Sequence, residues 1–227
     1  MHNLPFDSYE EQFLQLVQDH QVVVLAAETG AGKSTKAPLA LLKRFANGKM
    51  IGVTEPRRPA ATNLAKWVAE LHGSRFGEIV GYQIGQDNQV ERTTRLKYMT
   101  EGILLAEMQG DALLSRYNVI VLDEVHERGV NQDLLMALVK AVIPHRPDLK
   151  VVVMSATIDT HKFSKYFGNA PVLEVPGRVY PVEVRYEKEA PGEYAGACLK
   201  KIVEILRGNE GGDILAFLPD QASIMKV

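Results

Sequence analysis

Cysteine is almost absent from this chain, and so are long apolar runs and any excess of charge of one sign. Cys198 is the single cysteine among 227 residues, so no internal disulfide can form, which fits a reducing compartment. The longest apolar run, residues 22–27, falls far short of the roughly 20 residues that a membrane-spanning helix needs. The amino end has no basic stretch leading into an apolar one. The expectation is a soluble, cytoplasmic protein with no membrane partner. Lys and Arg number 26 against 28 Asp and Glu, a net charge of −2. Binding to nucleic acid by bulk positive charge is thereby disfavoured, while a local basic track remains open. What is left is ordinary globular material, 46% apolar and 24% charged, which is enough for a sizeable core and unlike a disordered or collagen-like chain. The length suits one large domain, or one domain and part of another.

Short β-rich apolar runs alternate with amphipathic stretches. Strands are predicted over residues 22–27, 50–54, 96–100, 119–123, 151–155 and 172–175, and helices over 61–71 and 132–142. A first helix is expected from Ser8, with Glu11 completing a capping box and Phe13, Leu14 and Val17 at helical spacing. Such alternation predicts an α/β fold, a mostly parallel sheet with helices on both faces. Ligands in such sheets gather outside the carboxyl ends of the strands. Beyond Pro176-Gly177-Arg178 the pattern changes to a strand over 182–186, a helix near 194–207 and a strand over 213–218. Residues 179–227 hold 6 basic and 8 acidic side chains, whereas residues 1–178 are balanced at 20 and 20. About fifty residues are too few for a second domain of this kind, so this tail is expected to be the opening of something longer.

The chemistry begins after the first strand. Ala27-Glu28-Thr29-Gly30-Ala31-Gly32-Lys33-Ser34-Thr35 follows the pattern G-x-x-x-x-G-K-S/T, with Ala27 in place of the first glycine. Gly30 and Gly32 let the backbone curl so that successive N–H groups face phosphate oxygens. A helix starting near Lys33 points its positive end at the same charge. Lys33 can reach β- and γ-phosphates, and the Ser34 hydroxyl can ligate Mg²⁺. Further on, the run Val119-Ile120-Val121-Leu122 ends in Asp123-Glu124-Val125-His126. One carboxylate, Asp123, suits the shell of a Mg²⁺ ion, and its neighbour Glu124 suits polarising a water. An Asp-Glu pair after a strand is weak by itself, because helix starts also favour acids. Some 90 residues after a phosphate loop in the same predicted sheet, it becomes specific.

With these segments in hand, the chain resembles the DEAH-box group of superfamily 2 RNA helicases. Thr54-Glu55-Pro56-Arg57-Arg58-Pro59-Ala60-Ala61 is similar to motif Ia of that family, and Tyr98-Met99-Thr100-Glu101-Gly102 opens a segment like motif Ib. Residues 123–128, D-E-x-H-E-R, are like motif II, Ser155-Ala156-Thr157 is like motif III, and residues 212–219 resemble the start of a second RecA-like domain. The resemblance covers nearly the whole chain. It implies a RecA-like P-loop NTPase domain over residues 1–178, followed over 179–227 by a linker and an incomplete second one. It implies ATP held by Glu28, Thr29, Gly30, Ala31, Gly32, Lys33, Ser34 and Thr35, and Mg²⁺ held by Ser34, Asp123 and Glu124. Catalysis would involve Lys33, Asp123, Glu124 and His126. Arg57, Arg58 and Thr100 would touch a single nucleic-acid strand, RNA by resemblance alone. Ser155 and Thr157 would couple nucleotide state to strand movement through a hydrogen bond towards His126. Paired arginines and a hydroxyl at neighbouring strand ends suit backbone contacts that carry no sequence information.

Three departures qualify the resemblance. The family has a base-stacking arginine near its first helix, where this chain has Glu10, which cannot make that cation–π contact. Val125 stands where the family name implies alanine. No arginine-finger motif of the form Q-R-x-G-R-x-G-R is present, so the 227 residues alone are expected to bind nucleotide, hydrolyse it poorly and not unwind duplexes. A nucleotide-gated RNA-binding module, or a DNA rather than an RNA helicase, are the alternatives. Arg57 and Arg58 could be solvated charges instead. Arg92, Arg95 and Lys97 suit either a basic track or a solvated strand face. Trp67 and Cys198 are expected in the core.

Overall fold

The computed structural model of the chain describes residues 4–156, 160–177, 182–186, 192–208 and 211–227. They fall in two compact units, Met1–Val179 and Tyr180–Val227. The first unit carries eight strands: β1 (Val22–Ala27), β2 (Met50–Glu55), β3 (Val80–Ile84), β4 (Asp87–Gln89), β5 (Leu96–Thr100), β6 (Tyr117–Leu122), β7 (Lys150–Ser155) and β8 (Val172–Val175). They form one sheet in the order β4-β3-β5-β2-β6-β7-β1-β8, parallel throughout except for the short β3–β4 hairpin.

Helices cover both faces because the strands are apolar on both. Side chains alternate across a strand, and odd and even positions enter different cores. Val23, Leu25, Val119, Val121, Val152 and Met154 pack with α1 (Glu10–Asp19), α2 (Lys33–Phe45) and α3 (Arg58–His72). Val22, Val24, Ile120, Leu122, Val151 and Val153 pack with α4 (Glu101–Gly110), α5 (Val130–Val142) and α6 (Thr160–Tyr166). At the opposite edge of the sheet from the carboxyl ends of these strands, buried Arg146 donates to the carbonyls of Leu113, Leu114 and Tyr117 and pairs with Asp148. This ties together the loops that lead into β6 and β7.

The expected strands and helices of the first unit are present, several a residue or more longer than predicted, except that β6 ends at Leu122 and leaves Asp123 just beyond it. Others differ. Ser8 does not cap the first helix: it ends a one-turn 3-10 segment, Pro5–Ser8, and α1 starts after Tyr9 with no side-chain cap. The capping contact there is made by Asp7, whose Oδ2 accepts the Leu4 N–H at 2.8 Å, while Glu11 pairs with Arg44. β3 and β4 were not expected, since Gly81 interrupts one and the other, Asp-Asn-Gln, has no apolar residue. Gly81 is required by packing, because a Cβ there would lie 2.1 Å from the Gln89 carbonyl oxygen. Trp67 is not in the core but 54% exposed on α3. Lys97 is neither a basic track nor solvated: it is 1% exposed, bonded to Glu107 and Gln83, and lies over the Tyr117 ring.

The second unit contains α7 (Tyr194–Arg207) and α8 (Gln221–Lys226), the latter capped by Asp220, which accepts the Ser223 N–H at 2.7 Å. The two strands expected here are not formed; residues 182–186 and 213–218 have no ladder partner among the described residues. Cys198, expected in the core, is half-buried on α7.

Candidate active site

The carboxyl ends of the parallel strands lie along one edge of the sheet, and the segments at the ends of β1, β2, β5, β6 and β7 carry the site residues singled out above. The loop after β1 closes on itself through the Ala31 N–H, which donates to the Glu28 carbonyl at 3.1 Å. Gly30 and Gly32 adopt φ of +81° and +100°, the left-handed region that glycine enters without strain. Gly32 then starts α2, its carbonyl accepting the N–H groups of Thr35 and Lys36 at 3.2 and 2.7 Å. The loop is held from outside by the 3-10 turn, where the Phe6 N–H donates to the Ala31 carbonyl at 3.0 Å. It is held from beneath by Tyr98, whose hydroxyl donates to the Ser34 carbonyl at 2.9 Å. Glu28, Thr29 and Gly30 are exposed at the tip, Ala31 is buried, and Ser34 and Thr35 are half-buried. The Lys33 and Ser34 amides at the start of α2 precede any intrahelical acceptor, which leaves them for phosphate oxygens in a supported, open loop.

Lys33 is 5% exposed, and its ammonium lies 2.6 Å from Glu124 Oε1. Glu124 Oε2 is 3.3 Å from His126 Nε2, and His126 Nδ1 accepts the Ala156 N–H at 3.3 Å. That pattern puts the imidazole proton on Nε2, facing Glu124. A line thus runs Lys33–Glu124–His126–Ala156 across three strand ends. Ala156, between the two hydroxyls expected to reach His126, supplies the bond. Ser155 is fully buried at the end of β7, and Thr157 lies outside the described residues. Glu124 and Arg128 bracket the Val125–Glu127 3-10 turn with φ of +53° and +52°, a costly backbone for branched or long side chains.

Asp123 is completely buried. Its Oδ1 accepts the Glu124 N–H at 2.7 Å, its carbonyl accepts the Gln132 side-chain amide at 2.8 Å, and its Oδ2 has no partner. Burial pushes the Asp123 carboxyl up, as does the Glu124 charge, against the pull of Lys33 and the Ser34 hydroxyl. Beside it Glu55, 2% exposed, has an unpartnered Oε1. Burial, then the charges of Asp123 and Glu124, push its carboxyl to about 10. The residues fit a dication: Ser34, Asp123 and Glu124 offer oxygens, and the buried Asp123 Oδ2 lacks any protein donor.

The expected nucleic-acid residues line the same edge further along. Arg57 and Arg58 are exposed where β2 turns into α3, and Thr100 is half-buried where β5 turns into α4. Arg57 contacts Glu127 at 3.2 Å, which puts this rim next to the turn that carries Glu124. Tyr98, Gln132 and Glu55 were not singled out from the sequence. Tyr98 is an aromatic inside an apolar strand, and Gln132 has no local pattern. Glu55 stands in the quoted Thr-Glu-Pro-Arg-Arg segment and Tyr98 opens the quoted Tyr-Met-Thr-Glu-Gly one, and those were the available signals.

Comparison with known proteins now decides the family. Residues 8–165 match the DEAD/DEAH box helicase family, more than half of the chain. The chain belongs to this family. Among its relatives, the pre-mRNA-splicing factor ATP-dependent RNA helicase prp22 of Schizosaccharomyces pombe is 46% identical over 97% of the chain and 19% of the relative. The probable ATP-dependent RNA helicase DHR2 of Saccharomyces cerevisiae is 44% identical over 98% of the chain and 31% of the relative. The ATP-dependent RNA helicase HrpA of Escherichia coli is 42% identical over 98% of the chain and 18% of the relative. The chain therefore spans about a fifth to a third of the length of these relatives. Among the described residues no helix is long and apolar enough to cross a membrane.

Proposed function

We propose that this chain is the ATP-binding, amino-terminal RecA-like part of an ATP-dependent RNA helicase, with residues 1–178 as that domain and 179–227 as a linker and the start of a second. The observation that carries the reading is the supported loop of residues 28–35 with Lys33 buried and aimed at Glu124. Its amides and Lys33 receive the β- and γ-phosphates, and Lys33 exchanges the Glu124 carboxylate for phosphate oxygen. Mg²⁺, held by Ser34, Asp123 and Glu124, neutralises phosphate charge when bound. Glu124, released from Lys33, orients water and accepts its proton, and His126 steadies Glu124 by donating from Nε2. The turn that carries Glu124 and His126 also carries Glu127, paired to Arg57, and His126 accepts the Ala156 N–H at the end of β7, so this turn is the route by which nucleotide state reaches the RNA rim, with Ser155 and Thr157 of the Ser-Ala-Thr segment as the coupling residues. Arg57, Arg58 and Thr100 hold a single strand of RNA by its backbone, and the remainder of the helicase works with this domain in cis.

ATP titration into the chain and its Lys33→Ala variant tests the reading. Losing a charged partner of phosphate costs about 1.5–3 kcal/mol, so the variant should bind at least tenfold more weakly. Equal affinity would remove the phosphate-loop assignment.

A further inference from the structure

Glu55 takes no part in the relay from Lys33 to Ala156, yet it occupies the floor of the same site. β2 and β6 run side by side with Thr54 opposite Leu122, so Glu55 and Asp123 leave adjacent strands at one level. Both follow the alternation of Val53 and Val121, which pack on the α2 side of the sheet. The two residues are 2% and 0% exposed, and each keeps one carboxyl oxygen, Glu55 Oε1 and Asp123 Oδ2, with no donor. Of the neighbouring donors, the Ser34 hydroxyl pulls on Asp123 alone, and the others are committed elsewhere. Lys33 is given to Glu124 at 2.6 Å, and the Tyr98 hydroxyl to the Ser34 carbonyl at 2.9 Å. An ionised carboxylate can only accept, and buried acceptors of like charge demand positive charge between or beside them.

We propose that Glu55 is a further holder of the Mg²⁺ ion, acting beside Asp123 and Ser34 as a negatively charged carboxylate that accepts hydrogen bonds from the ion's water shell. Mg²⁺ parts reluctantly with its waters and keeps several of them in protein sites. Groups one layer out orient those ligands, and losing one typically costs 10–100-fold in metal affinity. A dication at Asp123 also relieves the repulsion that burial imposes on the three carboxylates Glu55, Asp123 and Glu124. The proposal rests on the nucleotide-site reading above.

A neutral Glu55 that only hydrogen-bonds Asp123 would satisfy the same two oxygens, and Glu55→Gln separates the two roles. The amide keeps a donor towards Asp123 and the side chain's shape, but it cannot carry the charge. The experiment is a titration of a fluorescent ADP analogue into wild type, Glu55→Gln and Glu55→Ala, once in EDTA and once with Mg²⁺ varied, with thermal unfolding to establish that each variant is folded. The expected result is nucleotide affinity in EDTA unchanged within about twofold, and a Mg²⁺ half-saturation raised about tenfold or more in both variants. An unshifted Mg²⁺ half-saturation in folded Glu55→Gln overturns the proposal, whether or not Glu55→Ala shifts. Wild type that binds no nucleotide under either condition would instead remove the nucleotide site on which the proposal stands.

Discussion

Lys33 and Glu124 satisfy each other at 2.6 Å, and in the proposed chemistry each would take a different partner once nucleotide is bound. That exchange is the residue-scale event on which the proposed chemistry turns. Glu124→Gln should leave ATP affinity largely intact, since the phosphate amides, Lys33, Ser34 and Asp123 remain and the amide oxygen can still face the Mg²⁺ shell. It should also lower hydrolysis by about 10²-fold or more through loss of the general base. Single-turnover hydrolysis beside a binding isotherm measures both, and undiminished turnover would move the base to another residue. Gly30, Gly32, Lys33, Asp123 and Glu124 could be read in the sequence because their chemistry depends on spacing along one loop or one strand end. Tyr98 and Glu55 could not. Their roles come from which strands lie side by side, since Tyr98 reaches Ser34 from β5 and Glu55 reaches Asp123 from β2.

At the scale of elements, the apolar strands were legible because burial on both faces leaves near-continuous runs such as Val22–Ala27. β4, three polar residues paired to β3, leaves no such trace. Extended apolar sequence was a false guide over residues 182–186 and 213–218, where β propensity has no neighbouring strand to pair with among the described residues. The strand ends define the proposed RNA rim. Arg57 and Arg58 lie between β2 and α3 with Thr100 one strand away, because Glu55 and Thr100 are register partners of β2 and β5. Replacing Arg57 and Arg58 by alanine should weaken RNA binding and flatten its salt dependence, by about one unit of log–log slope for each phosphate that the arginines neutralise. Titrations of a single-stranded RNA over a range of salt would show it; an unaltered slope would place the nucleic-acid face elsewhere.

At the scale of the molecule, the first unit presents every proposed function on one sheet edge, so ATP and RNA would act on neighbouring loops of a rigid core. The 3-10 turn after β6 joins them, with Glu124 at one end and Glu127, paired to Arg57, at the other. A second opening lies close by, a cleft of about 570 Å³ lined by Ala27, Glu28, Ala156, Thr160, His161 and Glu174, and it offers a nucleotide an alternative lodging. The most direct measurement is therefore a crystal structure of the chain grown with ADP and Mg²⁺. The β-phosphate should lie against the amides at the start of α2 and touch Lys33, with the metal at Ser34 and Asp123. Nucleotide seated in the Thr160–Glu174 cleft, or an empty loop at saturating ADP, would contradict it.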